Sequence, residues 1–190
     1  MKQRSSSPRQ ARETSFSERF SYSLYFAGQN IVYSLIQGFL AVYYVAFVQM
    51  RPAFVAALIL GVRIWDAIND PMIGLLMDRF RFLGKRFKGW INVSAILMPL
   101  ATLLLFLVPT AAPAWLQVSW IIGTYLLWDV LFTVSEVPSF GISTAMTRNE
   151  SERTSLLALT QIGSVLGVVI YTLAIAPLFE DGVDALNWVA

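Results

Sequence analysis

Five apolar runs, each near or above the length that crosses a bilayer as a helix, set the limits on what this chain can fold into. They cover residues 22–48, 53–77, 91–108, 115–137 and 156–178. A helix needs ~20 apolar residues to cross ~30 Å of hydrocarbon. It also satisfies its own backbone polar groups, which lipid cannot do. A transmembrane barrel needs alternating strands of about ten residues, and no such alternation is present. The expected fold class is therefore an all-α integral membrane protein. Residues 185–190 read as the start of a sixth span that the 190 residues do not complete.

Composition supports this and narrows the chemistry. Hydrophobic residues make up 56% of the chain and charged residues 14%. An ordinary soluble domain has roughly 25% charged residues, so a soluble enzyme is excluded. There is no Cys and no His. Disulfides, thiolate or imidazole metal sites and His general bases are excluded with them. No cofactor is expected.

The polar segments are asymmetric. Residues 1–21 carry Lys2, Arg4, Arg9, Arg12 and Arg19 and read as a disordered tail. The next basic loop holds Arg79, Arg81, Lys85, Arg86 and Lys88, and a later one holds Arg148 and Arg153. These are 12 of the 14 basic residues, and they fall on one side of the membrane. The positive-inside rule makes that side the cytoplasm. The expectation is a cytoplasmic N-terminus in a multi-pass plasma (inner) membrane protein, with residues 22–190 as its transmembrane domain. The basic charge is confined to these loops, so nucleic acid is not an expected partner; the lipid bilayer is.

Five charged residues lie inside the predicted spans: Arg63, Asp66 and Asp70 in the second, Asp129 and Glu136 in the fourth. Each costs about 2.5–3.5 kcal/mol at a helix centre on insertion scales. Unpaired, five would cost roughly 12–17 kcal/mol, as much as a whole fold is worth. They must face an interior or a water-filled cavity. Asp66 and Asp70 are one helical turn apart and share a face. Asn69 adjoins them. Asp129, Thr133 and Glu136 share a face of the fourth span in the same way. Facing each other, the two stripes gather carboxylate, amide and hydroxyl oxygens, which are the donors a hard cation prefers. Without a cation the acids repel, and a proton relieves that repulsion as Na⁺ would. The purely structural alternative is that Arg63 neutralises one acid and the others bond between helices. By spacing, Asp129 belongs with that structural role.

The stretch Arg63-Ile64-Trp65-Asp66-Ala67-Ile68-Asn69-Asp70-Pro71 resembles the second-helix signature of the glycoside–pentoside–hexuronide:cation symporters, in the major facilitator superfamily. Gly74, Asp78-Arg79 and the basic loop to Trp90 are similar to that superfamily's cytoplasmic loop between helices two and three. Glu136-Val137-Pro138, Thr147 and Glu152-Arg153-Thr154-Ser155-Leu156 extend the likeness. The resemblance implies twelve helices in two six-helix halves, with the site between the halves. On that basis the chain is the N-terminal half, cut short in its sixth helix, and its partner is a C-terminal six-helix half.

The resemblance also implies site residues. A cation site falls on Asp66, Asn69, Asp70, Thr133 and Glu136, with Asp66, Asp70 and Glu136 as Na⁺ ligands; Glu136 stands where the family's type member has Asp. A solute site falls on Gln29, Asn30, Phe132, Phe140 and Gln161, where the type member has charged and aromatic groups. The function implied is Na⁺- or H⁺-coupled symport of a sugar-like or amphipathic solute, not enzymatic catalysis. The alternatives are a half-transporter that acts only in membrane assembly and, more remotely, a lipid-acting membrane enzyme.

Overall fold

A computed structural model describes residues 14–79 and 88–178. The expected tail up to residue 13, most of the basic loop with Arg81, Lys85 and Arg86, and the expected sixth span lie outside the described residues.

Among the described residues five α-helices form the bundle: α1 (Phe16–Val42), α2 (Pro52–Arg79), α3 (Lys88–Phe106), α4 (Ala114–Met146) and α5 (Glu150–Ile170). All five are long and apolar enough to cross a membrane. Single π-helical turns, Tyr43–Phe47 and Tyr171–Ile175, extend α1 and α5.

Three boundaries differ from the hydropathy reading. Helix α1 begins at Phe16, within the expected tail. Ser15 and Glu18 form a reciprocal capping box there, which satisfies helix N–H groups that would otherwise lack partners. Helix α4 runs through Pro138 to Met146. A proline inside a helix costs one backbone bond, and Pro138 is fully buried where α4 continues through it. Helix α5 begins at Glu150, earlier than its apolar run, because Asn149 caps it through bonds from the Ser151 and Glu152 N–H groups.

The largest core joins the end of α1, the start of α2, the end of α3 and the start of α4. It contains Leu40, Tyr44, Val55, Leu105, Ile121 and Trp128. Trp128 Nε1 donates to Thr102 Oγ1 at 3.1 Å and ties α4 to α3. A smaller cluster of Tyr22, Phe26 and Leu156 closes the opposite end.

Helices α1 and α5 meet backbone to backbone. A Cβ at Gly163 would run into the carbonyl of Ser23, and one at Gly167 into that of Ala27. Small residues one turn apart permit this approach, which replaces the missing hydrophobic drive between helices in lipid with close van der Waals packing. Ser23 Oγ donates to the Leu159 carbonyl at 3.0 Å along the same seam.

Candidate cation and solute cavity

A cavity of about 250 Å³ opens between α1, α2 and α4. Its wall carries Arg63, Asp66 and Asp70 from α2, Asp129 and Glu136 from α4, and Asn30, Tyr33 and Gln37 from α1. The aromatic residues Tyr125, Trp128 and Phe132 complete it. The one-turn spacing of Asp66 and Asp70 puts both on the face of α2 that meets α4, while Leu60, Ile64 and Ile68 face outward. All five of the charged residues inside the spans therefore line this one cavity, as their desolvation cost demands.

The expected cation set divides into two layers. Asp66, Asp70 and Glu136 line the cavity. Asn69 and Thr133 are buried behind it. Asn69 Nδ2 donates to Thr133 Oγ1 at 3.0 Å, and Thr133 Oγ1 donates to Asp70 Oδ1 at 2.9 Å. The two polar side chains thus fix the orientation of Asp70. The donors are all oxygens, as a hard monovalent cation requires. Among the described residues, no three acids come close enough together to hold a metal ion in this conformation.

Among the described residues, Arg63 bonds to no carboxylate. Its Nη1 donates to Tyr33 Oη on α1 at 2.9 Å. Tyr33 stacks obliquely on Phe132, centroids 5.0 Å apart, and Phe132 stacks on Trp128 at 5.2 Å and 22°. A continuous aromatic surface results, running from Tyr33 to Trp128 beside the acids.

The expected solute set is only partly assembled. Asn30 and Phe132 line the cavity. Asn30 Nδ2 also bonds to Ser164 Oγ of α5 at 2.9 Å. Gln29 does not reach the cavity; it faces a separate groove of about 320 Å³ between α1 and α3, with Ser94 and Met98. One residue step turns a helix by about 100°, which here carries Gln29 off the wall that Asn30 lines. Phe140 packs on Phe26, centroids 5.1 Å apart. Gln161 is exposed on α5. Neither belongs to the cavity wall.

The structure adds residues that spacing did not single out: Tyr33, Gln37, Tyr125 and Trp128. Asp129 departs most from expectation. Its side chain faces the cavity, and its Oδ2 is buried without a hydrogen-bond partner. Among the described residues, no interhelical hydrogen bond reaches that oxygen. The helical stripe with Thr133 and Glu136 was the available signal, since all three share one face.

Residues 21–183 match the family described as MFS/sugar transport protein. The chain belongs to that family. It is a transporter family, so the chain is a multi-pass membrane protein and not an enzyme. The chain is 32% identical over 164 residues to the isoprimeverose transporter of Lactiplantibacillus pentosus, covering 86% of this chain and 34% of that protein. It is 27% identical over 166 residues to the uncharacterised symporter YjmB of Bacillus subtilis, covering 86% and 36%. It is 31% identical over 137 residues to the sodium-dependent lysophosphatidylcholine symporter 1 of Gallus gallus, covering 70% and 25%. The chain thus spans about a third of the length of the first two.

Proposed function

We propose that this chain forms the N-terminal wall of a cation-coupled symporter, with a second helical half supplying the opposite wall. The observation that carries this reading is the single cavity that gathers Asp66, Asp70, Asp129, Glu136 and Arg63 at mid-span. Charges placed there are costly in lipid and mark ion and solute pathways. The symporter names of the relatives support it.

The cation sits between Asp66, Asp70 and Glu136, with Asp70 held in place by Thr133 and Asn69. Two carboxylates 5 Å apart repel by about 3 kcal/mol at an effective dielectric near 20. A bound Na⁺ relieves that repulsion, and so does a proton, which makes the two competitors. Because no three acids converge in the present conformation, cation binding draws α2 and α4 together. That movement couples the ion to the solute, as alternating access requires.

The solute is small and polar or amphipathic, with isoprimeverose and lysophosphatidylcholine as the two probes that the relatives suggest. The N-terminus faces the cytoplasm of a plasma membrane, as the basic asymmetry directs. The test is uptake by the full-length protein in proteoliposomes under an imposed Na⁺, Li⁺ or pH gradient. Accumulation that follows one of these gradients supports symport. Uptake indifferent to all three overturns the coupling, and no uptake of either probe favours the assembly-protein reading.

A further inference from the structure

Glu136 stands on a turn of α4 that its own helix ties weakly. Pro138 lies inside α4 and has no N–H, so the Val134 carbonyl one turn earlier loses its usual helical partner. Ser139 Oγ donates back to the Ser135 carbonyl at 2.6 Å, a kind of bond that bends helices. Long helices yield at such prolyl turns.

Helix α1 ties that turn from outside. The Tyr25 hydroxyl donates to the Ser135 carbonyl at 3.3 Å and also pairs with Ser135 Oγ. The Tyr22 hydroxyl donates to the Ser139 carbonyl at 3.0 Å. Tyr22, Ser135 and Ser139 are buried. Both tyrosine rings meet Phe26 edge to face, centroids 5.3 and 5.7 Å away, and Phe26 packs on Phe140 of α4. This ring cluster holds the two hydroxyls on their carbonyls. The grip lies off the cavity: Ser135 borders the groove between α1 and α3, while Glu136, the next residue, borders the cavity. Fixing the backbone at Ser135 fixes the direction in which Glu136 leaves the helix. Neither ion nor solute has to reach the tyrosines for this.

Building on the symporter reading, we propose that Tyr25 is a positioning residue for the cation site: its hydroxyl, seconded by that of Tyr22, holds the Pro138 turn of α4 so that the Glu136 carboxylate is set toward Asp66 and Asp70 before the ion arrives. Without the bond the turn relaxes, and the ion must order it on binding. Lost preorganisation of this kind weakens binding without removing a ligand.

The test measures the concentration of Na⁺, Li⁺ or protons that gives half-maximal thermal stabilisation of the purified full-length protein, since an ion bound by the folded state raises its melting temperature. The ion that saturates the wild type is used for every variant. Tyr25→Phe should raise the half-maximal concentration roughly 3- to 10-fold, the size of one lost hydrogen bond. Ser135→Ala should move it the same way, and Ser135→Thr, which keeps the hydroxyl, should restore the wild-type value. Ser135→Ala leaves the ring cluster whole, so it reads the bond even where Tyr25→Phe fails to fold. The control is Tyr43→Phe, which removes a hydroxyl that α1 gives to the Phe106 carbonyl of α3. It should lower the ion-free melting temperature and leave the ion requirement unchanged.

Tyr25→Phe and Ser135→Ala proteins that behave as Tyr43→Phe does, less stable but with the wild-type ion requirement, would overturn the assignment while leaving the cation site standing. So would a Ser135→Thr protein as impaired as Ser135→Ala. A wild type that none of the three ions stabilises saturably would overturn the symporter reading itself, and this proposal with it.

Discussion

Thr133 of α4 gives its hydroxyl hydrogen to Asp70 of α2 at 2.9 Å while accepting one from Asn69 at 3.0 Å. One hydroxyl therefore joins two helices and aims the carboxylate that faces the cavity. Thr133→Ala removes both bonds at once and strands the Asn69 amide in a buried place. The expected cost is about 1–3 kcal/mol of stability, with weaker Na⁺ binding. Thr133→Ser restores the hydroxyl and should recover both. Thermal unfolding in detergent, with and without Na⁺, checks this; equal behaviour of Ala and Ser variants would refute it.

The seam between α1 and α5 makes a second prediction. Gly163→Ala and Gly167→Ala each press a methyl group against a carbonyl of α1. Backbone cannot swing aside as a flexible side chain does, so each should cost about 1–3 kcal/mol. Gly123→Ala in α4 meets nothing within 4 Å and should be neutral or slightly stabilising. Fluorescence-detected melting of the three variants gives the ranking. A Gly167→Ala protein as stable as Gly123→Ala would contradict the packing described.

Glu152 links three segments near the start of α5. Its Oε1 accepts from both the N–H and the hydroxyl of Thr14, and its Oε2 accepts from Thr147 Oγ1 at 3.0 Å. Arg19 Nη2 donates to Ser155 Oγ close by. Glu152→Ala should release the segment ahead of α1 and lower stability by about 1–3 kcal/mol. Limited proteolysis in the Thr14 region should quicken in that variant; an unchanged cleavage rate would show that the link holds nothing.

Topology has a direct test. Ala111 lies between α3 and α4, Ser151 in the first turn of α5, and both are exposed. They sit beyond opposite ends of α4. Single cysteines there should label from opposite faces of a sealed membrane, with Ser151→Cys reacting from the cytoplasm. Ala111→Cys labelling from the cytoplasm would invert the orientation drawn from the basic loops.

Much of this arrangement was legible because lipid makes charge expensive. Asp66 and Asp70 one turn apart, and Thr133 with Glu136 on one stripe, could only face inward. Pairings across helices were not legible. Nothing in the order of residues tells that Arg63 reaches Tyr33, or that Asn69 serves Thr133 before it serves an ion. Asp129 lies on the same stripe as Thr133, yet spacing says nothing of whether a carboxylate oxygen finds a partner. Gln29 follows the same rule in reverse: it adjoins Asn30 in sequence, but the helical turn sends it to another groove. The start of α1 escaped a hydropathy reading because residues 16–21 are mostly polar, although Ser15-x-x-Glu18 carries a capping signal.

Gradient-driven uptake by the full-length protein, wild type against Asp70→Asn, tests the central claim most directly. Asn keeps nearly the volume of Asp and most of its hydrogen bonding but removes one charge. The wild type should accumulate solute under an inward Na⁺ or H⁺ gradient. Asp70→Asn should insert and fold, yet lose that accumulation, with Asp66→Asn and Glu136→Gln impaired in the same direction. Full gradient-driven accumulation by Asp70→Asn would contradict the account.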